Sequence, residues 1–288
     1  MSCPGTSVRI DDCSLWVVER GPADGLPLIV LHGGPGLDHH EFADYLDPVC
    51  DHGVRLLLVD QRAQGRSEPT PPGTWTLERM AQDVIMLALA LKLRHYAVLG
   101  HSYGAFVALQ NAVDYPGQAL ATVVSGGVAS LRDLEGVAGA LEAFEPLELR
   151  EQVASSWERE SSVTTQDEVG RLLNDQMPFH FRDPRDPRIA EYERRSGGAV
   201  YAPEVLRHFA IAEYGGIALE DRLVDVTQPV LVLAGRHDRV CPADASERMA
   251  QLLPRAELHV FEESAHMTFV EEPQTYVEVV GSFLSRVG

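Results

Sequence analysis

The chain is poor in cysteine, in positive charge and in long apolar runs, and each shortage excludes something. Its four cysteines (Cys3, Cys13, Cys50 and Cys241) are scattered, form no C-x-x-C pair and stand in no metal-like spacing with histidine. Ligand spacing thus gives no support to metal catalysis, and reduced cysteines fit a cytoplasmic location; no cofactor is expected. Basic residues number 24 against 43 acidic ones, for a formal net charge of −19. Nucleic acid and anionic membrane surfaces would both repel such a chain. The most apolar helix-like run, VIMLALAL (84–91), is far too short to span a bilayer. The opening MSCPGTSVRIDD lacks the apolar stretch of a secretory signal, so none is expected. There is no internal repeat and no low-complexity tract.

What is present is ordinary globular composition, 45% hydrophobic and 23% charged over 288 residues, enough to bury a large core. Short apolar runs alternate with helix-forming stretches. SLWVVER (14–20), LIVLHGG (28–34), VRLLLVD (54–60), YAVLG (96–100) and LATVVSGG (120–127) read as strands, several continuously apolar as buried parallel strands are. LERMAQDVIMLALALKL (77–93) and AFVALQNAVDYP (105–116) read as helices, the second stopped by Pro116. From about 128 to 226 the pattern breaks into Glu-, Arg-, Leu- and Ala-rich helical sequence with an irregular FHFRDPRDPR (179–188). Strands return at PVLVLAG (229–235) and AELHVFE (256–262), and EPQTYVEVVGSFLSRV (272–287) closes as a helix. The expectation is an α/β fold: a doubly wound, mostly parallel sheet built from 1–127 and 227–288, with a helical cap inserted at 128–226.

Between the YAVLG strand and the next helix lies Gly100-His101-Ser102-Tyr103-Gly104. A strand that becomes a helix within about one residue forces a sharp, strained turn, and glycines two before and two after let strand and helix approach closely. The serine could instead be a simple helix cap. The other strand ends favour chemistry, because functional residues of an open parallel sheet gather at the carboxyl ends of its strands. PVLVLAG is followed by Arg236-His237-Asp238, and AELHVFEES by Ala265-His266. A serine hydroxyl is a poor nucleophile until a histidine takes its proton, and that histidine needs a carboxylate to fix its tautomer and stabilise the imidazolium. Ser102, His266 and Asp238 are the candidates for these three roles. Asp238 could alternatively cap the helix near Pro242, and His237 reads as structural. VVSGG (123–127) offers no carboxylate one strand earlier. HGGPG (32–36) fits the turn that lends an amide to a developing oxyanion. Gly34 is the expected donor there, since Pro35 has no N–H, and the amide of Tyr103, next after the serine, is expected to be the other.

LHGGPG (31–36), DQRAQGRS (60–67), GHSYGAFVA (100–108), GRHDRVCP (235–242) and EESAHM (262–267), in this order, resemble the α/β-hydrolase superfamily and, more narrowly, its proline iminopeptidase branch. The likeness covers both halves of the core, about two thirds of the chain. It implies Ser102 as nucleophile, Asp238 as acid, His266 as base and Gly34 and Tyr103 as oxyanion donors. The implied activity is a serine hydrolase acting on a small-molecule or short-peptide substrate through an acyl-enzyme, as an aminopeptidase or amidase. Esterase or lactonase chemistry is the alternative, and a non-catalytic binding protein on the same fold is the reading from a different class. Two departures stand out. Ala63 follows Arg62 where the family has glycine, and His101 and Tyr103 flank the serine where Gly and Trp are usual. SSWERE (155–160) resembles a tryptophan–glutamate pair of the peptidase cap, which marks Trp157 and Glu158 as substrate-binding, the glutamate as partner for a substrate ammonium.

Overall fold

The computed structural model describes residues 5–288, so Cys3 lies outside it. Eight strands form one sheet: β1 (Thr6–Arg9), β2 (Ser14–Arg20), β3 (Leu26–Leu31), β4 (Val54–Asp60), β5 (Ala97–His101), β6 (Ala121–Ser125), β7 (Val230–Gly235) and β8 (Ala256–Phe261). They lie in the order β1-β2-β4-β3-β5-β6-β7-β8. β1 and β2 run antiparallel to their neighbours, and every pairing from β4 to β8 is parallel. Strand residues alternate between two apolar layers: Ile29 and Leu31 of β3 enter one, Leu28 and Val30 the other. The first layer is covered by α1 (Leu77–Ala90) and α2 (Tyr103–Asp114). Both faces being covered explains why β5 and β6 are buried throughout.

Five helices follow β6 before β7 begins: α3 (Gly136–Glu142), α4 (Leu147–Arg159), α5 (Gln166–His180), α6 (Arg188–Arg195) and α7 (Pro203–Ile211). The excursion leaves and rejoins the sheet at one neck, where Leu131 N–H donates to Ile217 O (3.0 Å) and Leu219 N–H to Ala129 O (2.8 Å). Its longest helix, α5, opens on a reciprocal cap between Thr165 and Glu168. The chain then finishes with α8 (Ala243–Leu252), α9 (Thr268–Glu271) and α10 (Pro273–Ser285). α10 covers the second apolar layer with Tyr276, Val280 and Phe283.

β2 and β4 match the sequence expectation residue for residue, and the first helix ends at Ala90 rather than 93. β1, mostly exposed on an edge, is an addition that the apolar pattern did not carry. No helix among the described residues is long and apolar enough to cross a membrane.

DQRAQGRS turns out to be scaffolding for the HGGPG turn. Gln61 donates to His32 through both its amide N (to Nε2, 3.1 Å) and its side chain (to the carbonyl, 2.7 Å), and Gln64 Oε1 accepts from Gly36 N–H (2.6 Å). Asp60 holds His39 and the Arg66 amide, while buried Arg62 is paired with Asp83 and Asp12. Ala63 sits at φ 59°, in the left-handed region that costs a residue with a β-carbon about 1–2 kcal/mol. The glycine usual in the family would remove that strain, so Ala63→Gly is expected to stabilise the protein by about 1 kcal/mol, allowing for glycine's greater unfolded-state entropy. A rise in the denaturant midpoint at unchanged slope checks it.

Candidate active site

Ser102 stands at the junction of β5 and α2 with φ 53° and ψ −121°, a strained turn for a residue bearing a β-carbon. The flanking glycines are needed for space. A β-carbon on Gly100 would strike the Gly104 carbonyl, and one on Gly104 would strike the carbonyls of Leu31 and His32. The turn is pinned by Ser102 N–H donating to Ser125 O (2.9 Å). The Ser102 side chain makes no capping bond to the helix, so the simple-cap reading falls away, and the residue is only half buried, on the wall of the large cavity.

His266, after β8, donates from Nδ1 to Asp238 Oδ2 (2.7 Å), after β7; both are buried. The other Asp238 oxygen accepts the amides of Val240 (2.8 Å) and Cys241 (2.9 Å), so the carboxylate is held from both sides and does not cap α8, whose N-cap is Pro242. Burial works against a charged His266, but its contacts with Asp238 outweigh that and raise its pKa above the ordinary histidine value. Two neutral histidines flank it. His101 packs 4.9 Å from its ring and His180, at the end of α5, 5.2 Å. Burial lowers both, His180 to about 4 and His101 well below the usual value. The His180 carbonyl also accepts the His266 amide (2.9 Å), so the excursion between β6 and β7 helps to fix the histidine loop. His237 is exposed.

On the opposite side of Ser102 the Gly33 amide is already taken by Glu41 Oε2 (2.5 Å). The amides of Gly34 and Tyr103 carry no hydrogen bond among the described residues, and both residues line the cavity beside the serine. Tyr103 opens α2, where free N–H groups and the helix dipole favour negative charge.

The cavity over these residues has a volume of about 820 Å³ and is walled by the sheet ends and by α4 to α7. Trp157 faces it, stacked on His180 (17° between rings). Glu158 is a correction: it is exposed and lies off the cavity wall. Adjacent residues on a helix point in different directions, whereas residues three apart share a face. The acidic neighbour of Trp157 in the cavity is accordingly Glu160, buried and hydrogen-bonded by Gln176 Nε2 (2.7 Å) and the Tyr214 hydroxyl. Glu41, in a single 3-10 turn (His39–Phe42) too short to mark itself by periodicity, and Asp38 just before it are further buried carboxylates on this wall that the sequence did not reveal. Asp38, His39 and His40 bring potential metal-ligand atoms within 4.8 Å of one another. Those side chains are committed elsewhere, His39 to Asp60 (2.5 Å), His40 to Asp38 (3.0 Å) and Asp38 also to Arg66 (2.9 Å).

The sheet order, the serine turn and the histidine–aspartate pair define a class, and the comparisons agree. The chain belongs to the alpha/beta hydrolase fold family, whose model matches residues 27–273, and it is a hydrolase. Within that family it lies in the proline iminopeptidase-like branch. Proline iminopeptidase from Heyndrickxia coagulans is 28% identical over 270 residues, 91% of this chain and 92% of that protein. The crystal structure of proline iminopeptidase from Mycobacterium smegmatis superimposes with a TM-score of 0.76 at 28% identity, over 98% of each chain. The magnesium-chelatase 30 kDa subunit of Rhodobacter capsulatus is 31% identical over 261 residues, 87% of this chain and 84% of that protein, so likeness at this level extends beyond proteins with the peptidase name.

Proposed function

We propose that the protein is a serine hydrolase that removes a small N-terminal residue, proline being the first candidate, from a peptide or amide through an acyl-enzyme on Ser102. Ser102 Oγ attacks the carbonyl carbon while its proton passes to His266 Nε2; Asp238 keeps the other ring proton in place and stabilises the imidazolium. The carbonyl oxygen takes the negative charge and accepts from the Gly34 and Tyr103 amides. Collapse breaks the C–N bond, and the departing amine leaves with the proton from His266. Water then attacks the ester, giving its proton to His266, and the free acid departs as Ser102 regains its hydrogen.

One observation carries the requirement for a free amine. Glu41 and Glu160 are buried on the cavity wall, and among the described residues no arginine or lysine pairs with either. Buried carboxylates without a cationic partner are costly, and a substrate ammonium supplies that partner. The relatives named proline iminopeptidase support the same reading. A second reading, an esterase or lactonase, is favoured by cavity size. About 820 Å³ lined by residues such as Pro35, Leu37, Phe106 and Leu206 is more room than a prolyl group needs. Prolyl p-nitroanilide and its N-acetyl form separate the two. Acetylation is expected to lower kcat/KM about ten- to a hundredfold, the scale of a lost charge-assisted contact. Equal rates would overturn the aminopeptidase reading and leave an acyl hydrolase.

A further inference from the structure

Three buried carboxylates line the cavity, and Asp38 is paired with Arg66; of the two without an arginine or lysine partner, Glu160 has both oxygens engaged, one by Gln176 and one by Tyr214. Glu41 has only one engaged: Oε2 accepts the Gly33 amide, while Oε1 has no hydrogen-bond partner among the described residues. Glu41 is nonetheless on the cavity wall, and Oε1 is not among the fully enclosed unpaired atoms, so it opens onto the cavity. Its position relative to the serine follows from Gly33. A β-carbon placed there would lie 2.7 Å from Glu41 Oε1 and 2.9 Å from Ser102 Cβ, so the free carboxylate oxygen and the serine side chain flank a single point. A nitrogen within two bonds of the carbonyl carbon that Ser102 attacks falls within reach of that oxygen. Of the two nitrogens so placed in an aminoacyl substrate, the scissile amide is neutral and only the α-amine is cationic.

We infer that Glu41 receives the substrate's α-ammonium, beside the serine, and that Glu160 shapes the distal wall. The inference rests on the aminopeptidase reading for its substrate, but the binding of a cation at Glu41 can be tested without it. The charged and titratable groups that face Glu41 are His266 after β8, Asp38 on its own loop, Tyr192 of α6 and Tyr276 of α10. Only His266 among them can become a cation. Burial pushes the Glu41 carboxyl up to about 7, as a carboxylate awaiting a partner from outside would be.

The test uses turnover of an uncharged ester, p-nitrophenyl acetate, and its competitive inhibition by pyrrolidine, a cyclic cation, and by cyclopentanol, its uncharged counterpart in size. In the wild type pyrrolidine is expected to bind more tightly than cyclopentanol. Glu41→Gln should weaken pyrrolidine about ten- to a hundredfold and leave cyclopentanol within about twofold, with Glu160→Gln sparing the difference. Should Glu41→Gln not fold, Glu41→Asp, which keeps the charge but withdraws it from the cavity, must weaken pyrrolidine selectively. Pyrrolidine bound no better than cyclopentanol, or lost in Glu160→Gln instead, overturns the role of Glu41. Failure of the aminopeptidase reading shows up separately, as equal rates on free and acetylated prolyl substrates.

Discussion

Ser102→Ala is expected to lower turnover by on the order of 10⁴-fold or more, with the fold intact. The loss is large because the members of such a set act as a unit: without the hydroxyl, His266 and the two amides have no nucleophile to serve. Structure should survive because the strained turn at φ 53° tolerates alanine as it tolerates serine, the side chain makes no capping bond, and the pinning bond to Ser125 O uses the backbone. Circular dichroism and the denaturant midpoint check the fold, and kcat the loss. An alanine variant retaining more than about a hundredth of the wild-type rate would be inconsistent with covalent chemistry at this residue.

Asp238→Asn should cost roughly 10⁴-fold in kcat. The amide side chain can still accept the Val240 and Cys241 amides with its oxygen, so the turn after β7 is preserved. Its NH₂ then faces His266 Nδ1, which must become an acceptor. The ring proton moves to Nε2, where it blocks proton transfer from Ser102. The pH dependence moves as well. The contacts with Asp238 raise the His266 pKa, so activity falls as pH drops through a value above the ordinary histidine one. Removing the carboxylate takes away the main influence raising it, and the residual acid limb should shift to lower pH. A nearly silent Asp238→Asn, with Asp60→Asn at the end of β4 abolishing activity instead, would move the acid to another strand.

The parts of this site that the sequence revealed are those encoded locally. A strand, a glycine, a serine, a glycine and a helix occupy one short window, and the steric demand on Gly100 and Gly104 is met within it and by the neighbouring strand β3. Asp238 and His266 were legible because strand ends in a parallel sheet converge whatever the intervening sequence. The specificity side was legible only in part. Trp157, marked in the sequence only as substrate-binding, lines the cavity, whereas Glu158, one residue on in α4, is exposed and Glu160, just past the end of that helix, is buried on the wall. Glu41 gave no local signal, since its importance comes from Gly33 and Ser102, which reach it only through tertiary packing. The glycine missing after Arg62 was visible as a departure, and its consequence, a left-handed alanine, needed the backbone.

The most direct measurement is covalent. The protein is incubated with a serine-reactive aryl phosphonate, digested and sequenced by mass spectrometry, beside Ser102→Ala and Asp238→Asn. The result expected is a single adduct on the peptide carrying Ser102, absent from the alanine variant and formed far more slowly in the asparagine variant. An adduct on any other residue, or labelling of Ser102→Ala at the wild-type rate, would contradict the assignment of Ser102 as the nucleophile.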